Sequence, residues 1–160
     1  MLDACQAQPD LLLLLLSKIM DFEIQNVDWS THRDSLYAVR HDVFVVGQNV
    51  PEEYEVDGAD ESCTHFLASD TLGNPIGTSR VLADGHIGRV AVLTPWRGKG
   101  VGRALMLASI QRVVELGLPL ALLDSQLTAV EFYQKLGFEC YGEEFMECGI
   151  PHVAMRKHLP

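Results

Sequence analysis

Apolar residues recur at helical spacing in two parts of the chain, and this pattern predicts two long helices. In the first helix the apolar positions are Leu36, Val39, Val43 and Val46. This helix is expected to follow an N-cap at Thr31 and to end at Gly47. The second helix is expected to run from a glycine cluster to Gly117, with apolar positions at Val101, Leu105, Met106, Ile110, Val113 and Val114.

Shorter apolar runs predict strands around these helices. Residues 64–68 and 76–82 are joined by turn residues that include Gly73 and Asn74, which predicts a hairpin. Further strands are predicted at residues 22–27, 86–93, 118–123, 138–141 and 152–156, and a third helix at about 128–136. Hairpins followed by strand-helix-strand-helix-strand indicate an α/β fold with a mixed sheet flanked by helices.

The 160 residues suit one domain, and no repeat or linker divides the chain after residue 20. We therefore expect an N-terminal extension at residues 1–20, helical or disordered, and a single domain at 21–160. The six leucines from Leu11 to Leu16 are too few for a membrane span, which needs about 20 apolar residues. Asp3 and Asp10 precede this run where a signal peptide would carry positive charge. A cytoplasmic protein without a membrane partner is the expectation.

Charge is distributed unevenly along the chain. The net charge of −10 argues against a nucleic-acid partner, because such domains are usually basic. Residues 85–114 contain no acid, but they contain Arg89, Arg97, Lys99, Arg103 and Arg112. Residues 52–61 contain the acids Glu52, Glu53, Glu55, Asp57, Asp60 and Glu61. Two opposite poles suggest an anionic cofactor and a cationic second substrate, and a solvated acidic loop is the alternative for the second pole.

The glycine cluster reads Arg-Gly-Lys-Gly-Val-Gly from Arg97 to Gly102. Glycines allow a tight turn, and the first N–H groups of a helix can then point at an anion. A nucleotide P-loop needs Ser or Thr after Lys99, where this chain has Gly100. A dinucleotide fingerprint needs glycine at position 103, which is Arg103. A nucleotide or nicotinamide enzyme is therefore disfavoured.

This cluster and the segment before it, Gly-Arg-Val-Ala-Val at 88–92, resemble the pyrophosphate-binding motif of the GCN5-related N-acetyltransferases, the GNAT family. Phe-Tyr-Gln-Lys-Leu-Gly-Phe at 132–138 resembles a later motif of that family. The resemblance covers about residues 22–157. It implies the GNAT fold and direct transfer of an acetyl group from acetyl-CoA to a primary amine in a ternary complex, without a metal.

The resemblance also implies roles for particular residues. Backbone groups of Val90, Ala91 and Val92 would meet the pantetheine arm. The pyrophosphate would be held by backbone N–H groups of Gly98, Lys99, Gly100, Val101 and Gly102, with side-chain contacts from Arg97 and Lys99. Gln126 stands where the family commonly has Asn in contact with the cofactor, and Tyr133 would be the general acid.

The general base stays open at this point. An amine with a pKa near ~10.4 must lose a proton before it attacks, and the candidates are Glu53, Glu55, Asp57, His65 and His152. The acceptor also stays open, either a small amine or an amino group of a protein, as does a homodimer. A CoA-binding sensor or interaction domain without catalysis is the alternative function.

Overall fold

The computed structural model describes residues 21–160. The strands in the first half of this range form an antiparallel sheet. In this sheet β1 (Phe22–Val27) pairs with β2 (Thr64–Asp70), β2 with β3 (Pro75–Val81), and β3 with β4 (Ile87–Val92). The predicted hairpin is confirmed as β2 and β3. The predicted N-terminal extension with its leucine run lies outside the described residues.

The second sheet is formed by the C-terminal part of the chain. It has the order β5-β7-β6, with β5 at Leu120–Gln126, β6 at Glu139–Glu147 and β7 at Ile150–His158. All of its pairs are antiparallel. Because β6 and β7 form a long hairpin, both extend beyond the short strands that the apolar pattern predicted.

The two sheets meet at one parallel bridge, between His86 and Leu122. Next to it the Leu122 N–H donates to the Gly85 carbonyl at 3.0 Å. After this point, among residues 21–160, β4 pairs only with β3 and β5 pairs only with β7. The predicted mixed sheet is confirmed, and it opens between β4 and β5.

The helix after β1 differs from its prediction at both ends. The helix α1 is Trp29–Arg40, and it follows an extended Asp28. An N-cap at Thr31 is therefore wrong, because Thr31 lies in the first turn and both its N–H and its hydroxyl contact the Asp28 carbonyl at 3.3 Å. A π-helical segment, His41–Val46, continues α1, and the chain stays helical past Gly47 to Gln48. The end falls at Asn49, whose φ of 56° is left-handed.

The second long helix, α3 (Val101–Glu115), packs across the first sheet as predicted, after a short α2 at Glu52–Glu55. Leu105 and Met106 on α3 are fully buried. At Gly77 on β3, an added Cβ would stand 3.0 Å from a Leu105 methyl carbon and 3.1 Å from a Val101 methyl carbon. The glycine thus lets the helix approach the sheet closely, and this contact is the centre of the core.

The last helix is shorter than its prediction. A 3-10 turn at Leu127–Ala129 leads into α4 at Val130–Gln134. No side chain caps the N-terminus of α4, so Glu131 in its first turn does not take part in a cap. Glu131 instead pairs with Lys135 at 3.3 Å. Within residues 21–160, every helix is too short or too polar to cross a bilayer.

Candidate functional site

A cleft of about 1190 Å³ opens where β4 and β5 part. Its volume is somewhat larger than the range for small-molecule sites, which is about 300–1,000 Å³. One wall contains residues 88–92 of β4, and the opposite wall contains Asp124, Gln126, Ile150 and His152 of the second sheet. Residues 48–51, 54, 55 and 57 also line the cleft. The predicted site residues that line it are Glu55, Asp57, Val90, Ala91, Val92, Arg97, Gln126, Tyr133 and His152.

The wall on β4 is shaped by a bulge. The pairing of β3 with β4 shifts between Thr78 and Arg80, and Arg89 has a φ of 50°. The Thr78 hydroxyl donates to the Arg89 carbonyl at 2.9 Å and holds this bend. Left-handed non-glycine residues at bulges are often found at functional sites. The segment after the bulge, Val90 to Val92, faces the gap as the edge of its sheet.

The glycine turn lies between β4 and α3. A 3-10 turn at Thr94–Trp96 precedes it, and Gly98 and Gly100 have φ of 73° and 86°. Both are exposed, and no atom lies within 4 Å of where their Cβ would be. Within the described part of the chain, the N–H groups from Gly98 to Gly102 donate to no backbone oxygen outside α3. The turn therefore offers open N–H groups at a helix N-terminus.

The basic side chains of the turn have protein contacts of their own. The Arg97 Nε donates to the Val92 carbonyl at 3.0 Å, which ties the turn to the end of β4. The Lys99 ammonium lies 5.0 Å from the centre of the Trp96 ring, in a cation–π contact. Arg97 lines the cleft, and Lys99 does not.

Tyr133 enters the cleft from α4. Its ring packs edge-on against Phe132 and Phe138, with centroid distances of 5.0 and 6.1 Å. Burial raises the pKa of Tyr133 to about 12, so the phenol keeps its proton at neutral pH. Among residues 21–160 no group is hydrogen-bonded to its hydroxyl. Tyr133 is therefore a neutral proton donor without a protein acceptor.

His152 lies on the opposite wall with one free ring nitrogen. Its Nδ1 is 2.7 Å from the Ile150 carbonyl, which can only accept, so Nδ1 carries the proton. The neutral ring then has its lone pair on Nε2, which lies 3.7 Å from a Glu147 carboxylate oxygen. Phe145 stacks on the ring at 5.7 Å. This geometry allows Nε2 to accept a proton.

Gln126, which the resemblance places against the cofactor, bonds to Gln48. The Gln126 amide donates to Gln48 at 2.8 Å, and the return contact is 3.5 Å. The pair links the end of the first helical segment to the end of β5. Sequence analysis did not single out Gln48, since a single amide at the end of a helix gives no recognisable pattern.

The acidic segment at 52–61 is not a free negative pole. Three of its carboxylates and three arginines from other elements form a cluster, which we call the arginine–carboxylate cluster: Arg40, Arg80, Arg89, Glu55, Asp57 and Asp60. Its formal charges cancel. The expectation of a cationic acceptor steered by this segment is corrected, because the arginines, which are distant in sequence, neutralise half of its acids.

Two candidate bases belong to this cluster. Glu55 is buried and bonded to Arg40, with Arg89 at 3.6 Å. A hydrogen bond from Arg80 lowers the pKa of Asp57 far below its usual value. The Asp57 carboxylate is therefore a weak proton acceptor.

The other two candidates stand away from the cleft. His65 is buried, stacks on Trp29 at 5.2 Å and contacts the Asp60 carbonyl through Nε2 at 2.7 Å. Burial lowers the pKa of His65, so it is neutral and has a structural role. Glu53 is exposed, and it does not line the cleft.

Similarity to known proteins identifies the family of this chain. A family model described as "Acetyltransferase (GNAT) domain" matches residues 31–159. The chain belongs to the GNAT acetyltransferase family. The uncharacterized protein YyaT of Bacillus subtilis is 38% identical over 127 residues, which are 76% of this chain and 85% of that protein.

Solved GNAT structures agree with the fold described above. An acyl-CoA N-acyltransferase from Pseudomonas aeruginosa is 30% identical with a TM-score of 0.74, over 86% of this chain and 99% of that one. A GNAT family acetyltransferase from Elizabethkingia anophelis, solved with acetyl-CoA bound, has a TM-score of 0.65 over 87% of this chain and 99% of its own. It is 18% identical, so it supports the fold alone.

Proposed function

We propose that the protein transfers an acetyl group from acetyl-CoA to a primary amine, directly and without a covalent enzyme intermediate. The observation that carries this proposal is one cleft with the glycine turn near one end of β4 and with Tyr133 and His152 in its walls. Membership of the GNAT acetyltransferase family supports the choice of donor.

The glycine turn fits a pyrophosphate. Two left-handed glycines leave open space where other residues would have a Cβ, and the neighbouring N–H groups have no backbone partner within residues 21–160. The positive end of the α3 dipole favours an anion there. Gly98, Lys99, Gly100, Val101 and Gly102 would bind the phosphates through their backbones, while the β4 edge from Val90 to Val92 would bind the pantetheine amides.

The chemistry needs one proton acceptor and one proton donor. Acetyl-CoA, when bound, supplies an activated thioester whose thiol has a pKa near ~8.5. The His152 Nε2 accepts the proton of the incoming amine, because Nδ1 is occupied by the Ile150 carbonyl. Tyr133 donates its proton to the leaving sulfur, since its raised pKa keeps it neutral. Among the candidate bases that line the cleft, Glu55 and Asp57 are held by arginines, although the Glu55 Oε2 has no hydrogen-bond partner. His152 has a ring nitrogen that no arginine contacts.

The proposal is tested by CoA thiol release from purified protein, acetyl-CoA and butylamine, measured against a blank without amine. His152→Gln should lower kcat by about 100- to 10,000-fold, the usual contribution of general base catalysis. His158→Gln is the matched control, because His158 lies on the same strand at the same 3.7 Å from a glutamate but outside the cleft. If the protein bound acetyl-CoA but released no CoA thiol with any amine, the result would instead indicate a CoA-binding sensor.

A further inference from the structure

The side chains of Gln48 and Gln126 connect the two parts of the molecule between which the cleft opens. Gln48 follows the π-helical segment, whose Val43 packs on Ala91 of β4, and Gln126 is the last residue of β5. In the described part of the chain, theirs is the only side-chain hydrogen bond or ion pair that joins the residues before β5 to those from β5 onward. Both glutamines line the cleft.

Strand register places this amide pair at the level of the proposed reaction. Gln126 is four residues along β5 from Leu122, which forms the parallel bridge with His86. The same height on β4 corresponds to residues 90–91, because β4 contains one extra residue at its bulge. Gln126 is also the register partner of His152 on β7, so the two side chains lie on one face of the second sheet.

The hydrogen bonds of the pair leave part of the Gln126 amide available to a ligand. Its Nε2 donates to the Gln48 Oε1 at 2.8 Å, and the return contact is 3.5 Å. A glutamine amide has two N–H donors and an oxygen with two lone pairs. Since no other group in residues 21–160 bonds to the Gln126 side chain, one N–H and one lone pair remain. The secondary amides of a pantetheine arm have the matching acceptor and donor.

The backbone around Gln48 is fixed by its own contacts. Asn49 has a left-handed φ of 56° and ends the helix, and the Val50 N–H donates to the Phe44 carbonyl at 3.0 Å. Gln48 is thus held at a defined turn, and its amide in turn restrains the long side chain of Gln126. A ligand that binds a restrained side chain does not have to lower the rotamer entropy of that side chain.

We propose that Gln48 is a positioning residue for acyl-CoA, because it holds the Gln126 amide in the orientation that bonds to the pantetheine arm beside His152. This inference rests on the proposed function for the identity of the donor. Gln48 acts through Gln126, so the loss of either amide should remove the same contribution to CoA affinity.

Calorimetric titration with two ligands tests this inference without requiring turnover. The ligands are CoA and adenosine 3′,5′-bisphosphate, which lacks the pantetheine arm. Gln48→Leu should weaken CoA binding about fivefold, the usual effect of one hydrogen bond, and leave bisphosphate binding within about twofold of the parent. Gln25→Leu is the matched control, because the Gln25 amide also donates to a side chain, Glu23 at 3.1 Å, but lies outside the cleft. It should keep both affinities.

A double-mutant cycle separates positioning from a general structural role. Gln126→Leu should weaken CoA binding at least as much as Gln48→Leu does. Gln48→Leu added to Gln126→Leu should then cause less than about twofold further loss, because the side chain that Gln48 holds is already absent. Additive losses in the cycle, unchanged or tighter CoA binding by Gln48→Leu, or an equal loss for the bisphosphate would each overturn the inference.

Turnover distinguishes this inference from the proposed function. CoA binding that follows the cycle, without acetylation of any amine, would contradict the proposed function and leave the role of Gln48 standing. Acetylation by Gln48→Leu with the parent affinity for CoA would support the proposed function and overturn the role of Gln48. Failure of the parent protein to bind CoA would overturn both.

Discussion

Single residues in this cleft gain their properties from their surroundings. Tyr133 and Tyr141 are the same residue type, but of the two only Tyr133 lines the cleft, where burial raises the pKa of Tyr133. Tyr141 is exposed on β6, under the Arg156 guanidinium at 5.2 Å. A phenol that stays neutral and has no protein acceptor can donate its proton to a ligand atom.

The role of Tyr133 is tested by removing the hydroxyl alone. Tyr133→Phe keeps the ring and its contacts with Phe132 and Phe138. We expect kcat to fall by about 100- to 10,000-fold, as general acid catalysis predicts, with the affinity for acetyl-CoA kept. Tyr141→Phe is the control and should keep the parent kcat. Single-turnover rates that are equal in Tyr133→Phe and the parent would rule out proton donation.

At the scale of elements, the turn before α3 and the turn before β3 have the same backbone requirement and different surroundings. Gly100 has a φ of 86° and Gly73 a φ of 84°, and neither has an atom within 4 Å of a Cβ position. Gly100 begins the helix whose N-terminus faces the proposed pyrophosphate site, whereas Gly73 closes the β2–β3 hairpin. They form a matched pair for separating backbone strain from ligand binding.

Substitution of these two glycines should therefore have equal effects on stability and unequal effects on binding. Gly100→Leu and Gly73→Leu should each cost about 1–2 kcal/mol of unfolding free energy, the penalty of a left-handed non-glycine residue. CoA affinity, measured by calorimetry, should fall about tenfold or more in Gly100→Leu alone, because the side chain enters the space that a phosphate would occupy. Tight CoA binding by folded Gly100→Leu would place the pyrophosphate elsewhere.

At the scale of the whole molecule, the arginine–carboxylate cluster connects α1, β3 and β4 to the segment before β2. Arg40 comes from α1, Arg80 from β3 and Arg89 from the β4 bulge, while the carboxylates come from the segment before β2. Arg80 bonds Asp60 at 3.0 Å, and Arg40 bonds it at 2.8 Å. Removing one partner of such a buried pair leaves an uncompensated charge.

The cluster predicts how stability depends on pH. Arg80 lowers the pKa of Asp57 below its unfolded value of about 3.9, so its contribution is present above that pH and is lost as the pH falls below it. Asp57→Asn should therefore reduce the urea midpoint at pH 7 and flatten its decline between about pH 5 and pH 3. Asp34→Asn, at a fully exposed position, should keep the parent slope. Parallel slopes in all three proteins would contradict this assignment.

The sequence by itself determined the features that depend on local pattern. Apolar spacing gave β1 at its observed bounds and α3 to within two residues of its observed end, because each element needs one continuous apolar face. Glycines at 98 and 100 indicated the turn, since only glycine adopts those φ values without strain. The resemblance in residues 88–102 and 132–138 identified the family.

Which charges are free depends on the folded arrangement of the chain. Residues 52–61 have the same sequence whether they are solvated or paired, and their partners Arg40, Arg80 and Arg89 lie up to 34 positions away along the chain. Likewise, no sequence pattern singles out Asp124 and Glu147, and strand register alone places them on the two sides of His152. Ion pairs and strand pairings are contacts between distant segments. A local pattern does not show which distant segment will pack against it.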